Sequence, residues 1–241
     1  MSTPTITDPA TDPAGVRLVQ IMRLVNIVAL LALLGVLAGS LFLQFGIGEQ
    51  PCPLCLVQRS GMVGLALGPI MNLLWGLKPS HYAISILAAL VGAAGSSRQI
   101  LIHIADPNDP GYGPAVLGWH LYTWALVTFV IAIAGISVLM LFPKQFAMGD
   151  EGIIKTAGGL RPWIISVAFG VILWMMVDAT IIGVSEVFEC GLGGCPDDPP
   201  DILGVGTIWG AIYLAAIGAV SIAIGFAIER GLRRRAHAEV Q

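Results

Sequence analysis

Six long apolar stretches constrain the fold of this chain more than any other feature of its sequence. Each runs for roughly 20 residues or more without sustained charge, the length that a helix needs to cross a bilayer core about 30 Å thick. The stretches are Val25–Phe45, Leu56–Leu77, Tyr82–Ile104, Leu117–Phe142, Trp163–Phe188 and Leu203–Ile228. Within lipid only helices and closed barrels satisfy the backbone, and stretches this continuously apolar do not alternate as barrel strands do. The sequence predicts an all-α integral membrane protein, a bundle of about six transmembrane helices.

The composition agrees with lipid as the solvent. Hydrophobic residues make up 56% of the 241 residues and charged residues only 11%, with a mean hydropathy of +0.84. Ordinary soluble domains carry roughly 25% charged residues. A soluble domain is therefore a poor description of this chain.

Basic residues are distributed unevenly between the segments that join the stretches. The segments at about 46–55, 105–116 and 189–202 contain acidic residues but no Lys or Arg. Ten of the twelve basic residues lie on the opposite side, with both termini: Arg17, Arg23, Lys78, Lys144, Lys155, Arg161, Arg230, Arg233, Arg234 and Arg235. Because Lys and Arg accumulate in cytoplasmic loops, we expect both termini in the cytoplasm and the three acidic segments outside it. The cluster at 230–235 indicates orientation rather than nucleic-acid binding.

All four cysteines fall in two of the outer segments, as close pairs. Cys52-Pro-Leu-Cys55 lies in the first segment and Cys190-Gly-Leu-Gly-Gly-Cys195 in the third. Disulfides persist outside the cytoplasm, so two structural bridges are one interpretation, and a zinc tetrathiolate is another. A bridge that closes so short a loop constrains the unfolded chain little. The spacing therefore favours redox chemistry, with no bound metal.

Several polar residues near the first pair are candidate functional groups. Cys55 directly precedes the second apolar stretch and Arg59 lies one turn into it, and both features favour a thiolate. Arg59 could also extend to the membrane interface as an anchor. His103 and His120 flank the second outer segment, where each could donate hydrogen bonds to a ligand.

Two further charges lie within the apolar stretches. Arg98 and Asp178 could pair with each other or serve proton movement, since charge inside a membrane usually marks function. The sequence contains no dinucleotide-binding loop, because Gly204-Val-Gly206 opens an apolar stretch with no strand before it. A quinone dissolved in the lipid is then the simplest electron acceptor for a membrane dithiol.

Three segments resemble the DsbB family of bacterial disulfide-forming membrane proteins: PCPLCLVQR at 51–59, RQILIH at 98–103 and DPGYGPAVLGWHLYTWAL at 109–126. The resemblance covers about residues 20–140. It implies a bacterial inner-membrane protein in which Cys52 and Cys55 are the quinone-coupled pair, with Cys55 reacting with ubiquinone or menaquinone. It implies that Arg59 and His103 help to bind the quinone, and we expect Gln58 and His120 to contribute to the same site.

The second cysteine pair departs from the family pattern. The family usually has four helices and carries its second pair between the third and fourth, where this chain has none. We therefore expect Cys190 and Cys195 to be a relocated pair that meets a periplasmic thioredoxin-like, DsbA-like partner. The expected layout is a cytoplasmic tail at 1–23, a four-helix core at 24–142, a cytoplasmic loop at 143–162, two added helices at 163–228 and a basic cytoplasmic tail at 229–241.

Other functions compatible with the sequence differ in chemistry. A thiol reductase that sends electrons outward, or an enzyme like vitamin K epoxide reductase, would use the same cysteines. A membrane transporter with structural disulfides is the alternative that is not an enzyme, although the chain has no clear repeated halves.

Overall fold

The computed structural model describes residues 13–47, 52–105, 111, 115–147, 150–152, 161–168, 170 and 208–238. Helices dominate these residues: α1 is Pro13–Leu41, followed by a π-helical turn at Phe42–Ile47, α2 is Pro53–Trp75, α3 is Pro79–Ile104, α4 is Leu121–Met140, α5 is Lys144–Ala147, α6 is 161–168 and α7 is Ile208–Ala238. A two-stranded antiparallel hairpin, β1 (Ala115–Val116) and β2 (Trp119–His120), precedes α4.

Helices of membrane-spanning length confirm the predicted fold class. The described residues contain five that are long and apolar enough to cross a bilayer: Pro13–Gln44, Leu54–Trp75, Pro79–Ile104, Leu121–Met140 and Ala215–Arg235. The remaining stretch, Trp163–Phe188, lies largely outside the described residues, although its beginning belongs to α6.

Helix boundaries differ from the apolar stretches in three places. α1 begins at Pro13, well before Val25, and α7 continues through the basic cluster to Ala238, because Arg and Lys side chains are good helix formers outside the apolar core. The expectation that the fourth helix begins at Leu117 is wrong. Leu117 and Gly118, both at positive φ (53° and 82°), form the turn of the hairpin instead.

The closest packing in the bundle joins α2, α3 and α4. Gly61 on α2 faces Gly92 on α3, where a Cβ at position 61 would lie 2.7 Å from the Gly92 Cα. The ring of Phe129 from α4 fills the same point, and it is fully buried. A Cβ at Gly92 would lie 2.1 Å from that ring. Small residues thus let the backbones of α2 and α3 approach and leave room for the Phe129 ring of α4, as in many membrane helix interfaces.

A proline inside α2 is compensated by a hydroxyl from α3. Pro69 has no N–H, so the carbonyl of Leu65 four residues earlier lacks its helical donor. Ser85 on α3, which is fully buried, donates to that carbonyl at 2.7 Å. Gly68 makes this approach possible, since a Cβ there would lie 2.0 Å from the Ser85 Oγ.

Buried polar side chains join the helices at the end of the bundle opposite the cysteines. Asn72 on α2 donates to the Asn26 Oδ1 on α1 at 3.0 Å, and its own Oδ1 lies 3.0 Å from the His81 Nδ1 on α3. Tyr82 accepts from Asn26 at 3.3 Å and donates to Gln145 of α5 at 3.3 Å. Inside lipid an unbonded polar group costs several kcal/mol, so these bonds fix how the helices meet.

The added helices α6 and α7 pack on each other through a small residue and an ion cluster. A Cβ at Gly225 would lie 2.0 Å from the Ser166 Oγ, so the two helices touch there. Arg161 donates to Glu229 at 2.7 Å, and Arg233 donates to the same carboxylate at 2.7 Å. Arg161 and Glu229 are each only 4% exposed, so a buried ion pair connects the beginning of α6 to α7.

The hydroxyl of Ser85 should be important for stability. We expect Ser85→Ala to lower the free energy of unfolding by about 1–3 kcal/mol, because a buried carbonyl loses its donor. Ser60→Ala is the matched control, since the exposed Ser60 hydroxyl bonds to the carbonyl of Leu56 in its own helix, and it should change stability by less than about 0.5 kcal/mol. Thermal unfolding of the two purified variants in detergent would measure the difference, and equal losses would contradict this role of Ser85.

Candidate functional site

Cys52 and Cys55 form a disulfide at the beginning of α2, with Cα atoms 5.0 Å apart. The expectation that Cys55 directly precedes the helix is wrong. The helix begins at Pro53, because proline suits the first helical position and the Cys52 sulfur caps the helix by accepting from the Cys55 N–H at 3.1 Å. Cys52 is therefore the capping residue, and Cys55 lies in the first turn. In this state both sulfurs belong to the disulfide.

Two glutamines connect the disulfide to α3. Gln99 on α3 directs its Nε2 at the Cys52 sulfur at 3.3 Å and at the Cys55 sulfur at 3.9 Å. Gln58 on α2 donates to the Gln99 Oε1 at 2.6 Å. Both glutamines are buried, so these bonds form where water does not compete.

Arg59 lies beside the cysteines and is held by α1. Its guanidinium donates to the Gln44 side chain and, at 3.4 Å, to the Ser40 carbonyl. The residue is 9% exposed, and Gln44 is fully buried. The alternative in which Arg59 extends to the membrane interface as an anchor is therefore not the arrangement observed, because its charged group is bonded within the bundle.

A cavity of about 550 Å³ opens between α1, α2 and α4 beside this group. Its polar end is formed by Cys55, Gln58, Arg59 and Gln99, and most of the remaining lining is apolar. Ser40 also lines it, and the Ser40 hydroxyl is the one buried side-chain polar atom without a hydrogen-bond partner in the part of the chain that the structure describes. An unbonded donor in such a cavity is available to a ligand.

A second cavity of about 530 Å³ continues the first toward the opposite end of the bundle. The two share Val36 of α1 and Thr128 of α4. Apolar residues line nearly all of the second cavity, which ends at Asn26 and Tyr82. Together the cavities form an apolar path along the seam between α1 and α4.

The two predicted histidines stack on a residue that the sequence analysis did not single out. Tyr122 of α4 lies between the rings of His103 and His120, with centroids 5.2 and 5.3 Å away and interplanar angles of 16° and 9°. Tyr122 lines the first cavity, whereas neither imidazole is among the described residues that do. The structure thus places both histidines in contact with Tyr122, and direct contact with a ligand remains a prediction for them.

The remaining candidates lie away from the cysteine pair and the cavity. Three of them, Cys190, Cys195 and Asp178, are outside the described residues, so their roles remain predictions. Arg98 is exposed on α3, one residue before Gln99. Within the described ranges no group of three or more His, Cys, Asp or Glu residues could hold a metal ion.

Gln99, Gln44 and Tyr122 are the site residues that sequence reasoning missed. A glutamine inside an apolar stretch carries a signal of its own, because an amide in lipid needs a bonding partner. That signal was present in RQILIH at 98–103 and in the end of the first stretch. It does not indicate the partner, which comes from a different helix in each case.

A family model and individual relatives of this chain carry the same description. Residues 22–110 match the family model described as disulfide bond formation protein DsbB. The chain is 31% identical to disulfide bond formation protein B of Pseudomonas syringae pv. tomato, over 41% of this chain and 77% of that protein. It is 30% identical to the protein of the same name from Chromobacterium violaceum, over 50% of this chain and 81% of that one. No solved structure matches.

Proposed function

Because the chain belongs to the DsbB family of disulfide bond formation proteins, we propose that it is a membrane thiol:quinone oxidoreductase. It takes electrons from a reduced thioredoxin-like, DsbA-like protein in the periplasm and passes them to ubiquinone or menaquinone. The observation that carries this proposal is the cavity of about 550 Å³ that joins the redox pair to an apolar path within the membrane bundle.

The donors at the polar end of the cavity suit a quinone headgroup. A quinone ring carries two carbonyl oxygens that accept hydrogen bonds, and Arg59, Gln58 and the unbonded Ser40 hydroxyl are donors at this end. The volume falls within the range of roughly 300–1,000 Å³ typical of sites for small molecules. Cys55 lines the same space, so a quinone bound there would lie beside the cysteine pair and could accept electrons from its reduced form.

An isoprenoid tail has a matching path. The second cavity extends the first along the α1–α4 seam and is almost wholly apolar. Val36, Phe42 and Val116 line the first cavity and are 41%, 65% and 44% exposed, so its apolar lining is open rather than sealed inside the bundle. A lipid-dissolved acceptor fits this arrangement better than a soluble one.

The net reaction balances as one dithiol plus one quinone giving one disulfide plus one quinol. Two electrons and two protons leave the partner dithiol, first by thiol–disulfide exchange with this chain and then from the reduced Cys52–Cys55 pair. Each exchange forms one S–S bond and breaks another. Cys52 and Cys55 are thus returned to the disulfide state at the end of each turnover.

The second pair completes the proposed relay. The partner dithiol exchanges with Cys190–Cys195, whose reduced form then exchanges with Cys52–Cys55. The glycines between Cys190 and Cys195 and the acidic, Pro-rich sequence up to Asp201 suit a loop that meets a folded protein. Cys52 is buried and Cys55 is only partly exposed, which disfavours direct attack by a large partner.

We expect the purified protein to reduce a short-chain ubiquinone or menaquinone analogue when supplied with dithiothreitol. Cys55→Ser should abolish this reaction, because no intramolecular disulfide can re-form, and loss of quinone absorbance measures the rate. Reduction of the quinone at the uncatalysed rate by the folded wild-type protein would refute the proposed function. A transporter or a protein with purely structural disulfides would behave in that way.

Arg59 should contribute mainly to quinone affinity. We expect Arg59→Met to raise the apparent KM for the quinone about tenfold or more, the effect of losing a hydrogen bond from a charged donor. Arg59→Lys should show a smaller defect, because it keeps the charge but not the planar fork that reaches Gln44 and Ser40. Arg17→Met removes a distant basic residue and serves as the control. An unchanged KM in a folded Arg59→Met variant would count against this role.

The relocated pair should be required only for the protein partner. We expect the double variant Cys190→Ala with Cys195→Ala to lose oxidation of a DsbA-like protein, since a folded partner then has no accessible disulfide to attack. Reduction of quinone by dithiothreitol should remain within about twofold of wild type, because a small thiol can reach Cys52–Cys55. Oxidation of the partner at the wild-type rate would show that the second pair is structural.

A further inference from the structure

Two N–H donors converge on the sulfur of Cys52. The Cys55 backbone N–H lies 3.1 Å from it, and the Gln99 Nε2 lies 3.3 Å from it. Cys52 is 8% exposed and Gln99 is 2% exposed, so water contributes little to solvating this sulfur. The same Gln99 amide is 3.9 Å from the Cys55 sulfur, which makes the Cys55 contact the weaker of the two.

Gln58 fixes which end of the Gln99 amide faces the cysteines. The Gln58 Nε2 donates to the Gln99 Oε1 at 2.6 Å, which occupies the oxygen and turns the NH₂ group toward the sulfurs. Gln58 is itself buried, at 6% exposure, and is carried by the same helix as the disulfide. The donor orientation is therefore set by a second side chain and does not depend on solvent.

Such donors favour the reduced pair more than the disulfide. A disulfide sulfur is a weak acceptor, whereas a thiolate carries a full charge and forms charge-assisted hydrogen bonds. In a buried position an unbonded thiolate would be strongly disfavoured by desolvation. The benefit of the two N–H groups thus appears when the pair is reduced and a thiol has released its proton to water.

We propose that Gln99, oriented by Gln58, is a positioning residue that stabilises a thiolate on Cys52 in the reduced protein. The Cys52 thiolate is then more stable than it would be without the amide, and the pair is a stronger oxidant, because its reduced form is stabilised. Arg59 is the charged group beside the pair, and its effect on the cysteines adds to that of the amide. This inference rests on the redox role proposed above for Cys52 and Cys55. Gln58 then has two roles: it orients the Gln99 amide and it lines the cavity.

Alkylation of the reduced full-length protein as a function of pH tests this directly. Iodoacetamide reacts with the thiolate, and peptide mass spectrometry reports Cys52 and Cys55 separately. The pH of half-maximal reactivity reports ionisation independently of how accessible each sulfur is. We expect this midpoint to rise by about one unit for Cys52 in Gln99→Leu, and to change less for Cys55, whose sulfur lies farther from the amide.

Further variants separate this role from a structural one. Gln99→Met keeps the length of the side chain and should give the same shift. It provides the test if Gln99→Leu does not fold. Gln58→Leu should shift the Cys52 midpoint in the same direction but less, because the amide of Gln99 remains. Ser96→Ala is the control on the same helix, since the buried Ser96 hydroxyl bonds to the Gly92 carbonyl of that helix, and it should leave the midpoint unchanged.

The redox equilibrium gives an independent measurement. Equilibration with a dithiol buffer of known potential should show Gln99→Leu to be a weaker oxidant by up to about tenfold in the exchange constant, or about 30 mV for a two-electron couple. Unchanged midpoints and an unchanged potential in folded Gln99 variants would overturn the inference. If the Cys52 midpoint shifts as expected but the wild type reduces no quinone, the proposed function fails and this inference stands.

Discussion

The close approach of α2 and α3 is the constraint on which the rest of the site depends. Glycines at 61, 68 and 92 remove the side chains that would hold the two backbones apart, and the Ser85 hydroxyl bonds to the carbonyl left open by Pro69. Only at this separation can Gln99 of α3 reach a disulfide carried by α2. The redox geometry is therefore a product of backbone packing well inside the bundle.

Polar groups are concentrated at the two ends of the bundle, and in the described part of the chain every buried polar side chain except the Ser40 hydroxyl has a hydrogen-bond partner. At one end the network around Asn72 joins α1, α2 and α3, and at the other Arg59 joins α2 to α1 while Gln99 joins α3 to α2. Between them the core is aliphatic apart from Phe129 and the Ser85 contact. Since lipid offers no hydrogen bonds, each polar contact must be made by a specific partner, which gives these helices a defined register.

The sequence was a good guide to what depends on local properties. Run length and hydropathy predicted the membrane helices, because crossing a bilayer requires a fixed length of apolar helix. The hairpin at 115–120 was missed because its residues are as apolar as the helix that follows, and the positive φ of Leu117 is not encoded by a typical turn residue. The cysteine pair and Arg59 were found from spacing. Gln99 and Tyr122 were not, because their importance comes from neighbours on other elements, such as the cysteines for Gln99 and His103 for Tyr122.

The position of the cavity within the bundle determines the units in which the concentration of each substrate must be expressed. Its lining includes Val36 and Phe42, which are 41% and 65% exposed and belong to a helix long and apolar enough to cross a membrane. For the proposed acceptor, the relevant quantity is then its mole fraction among the lipids, while the protein partner is counted per volume of water. Adding empty lipid to a fixed amount of enzyme and quinone would dilute one substrate and leave the other unchanged. The two substrates of such an enzyme thus respond to different compartments of the same suspension, one two-dimensional and one three-dimensional.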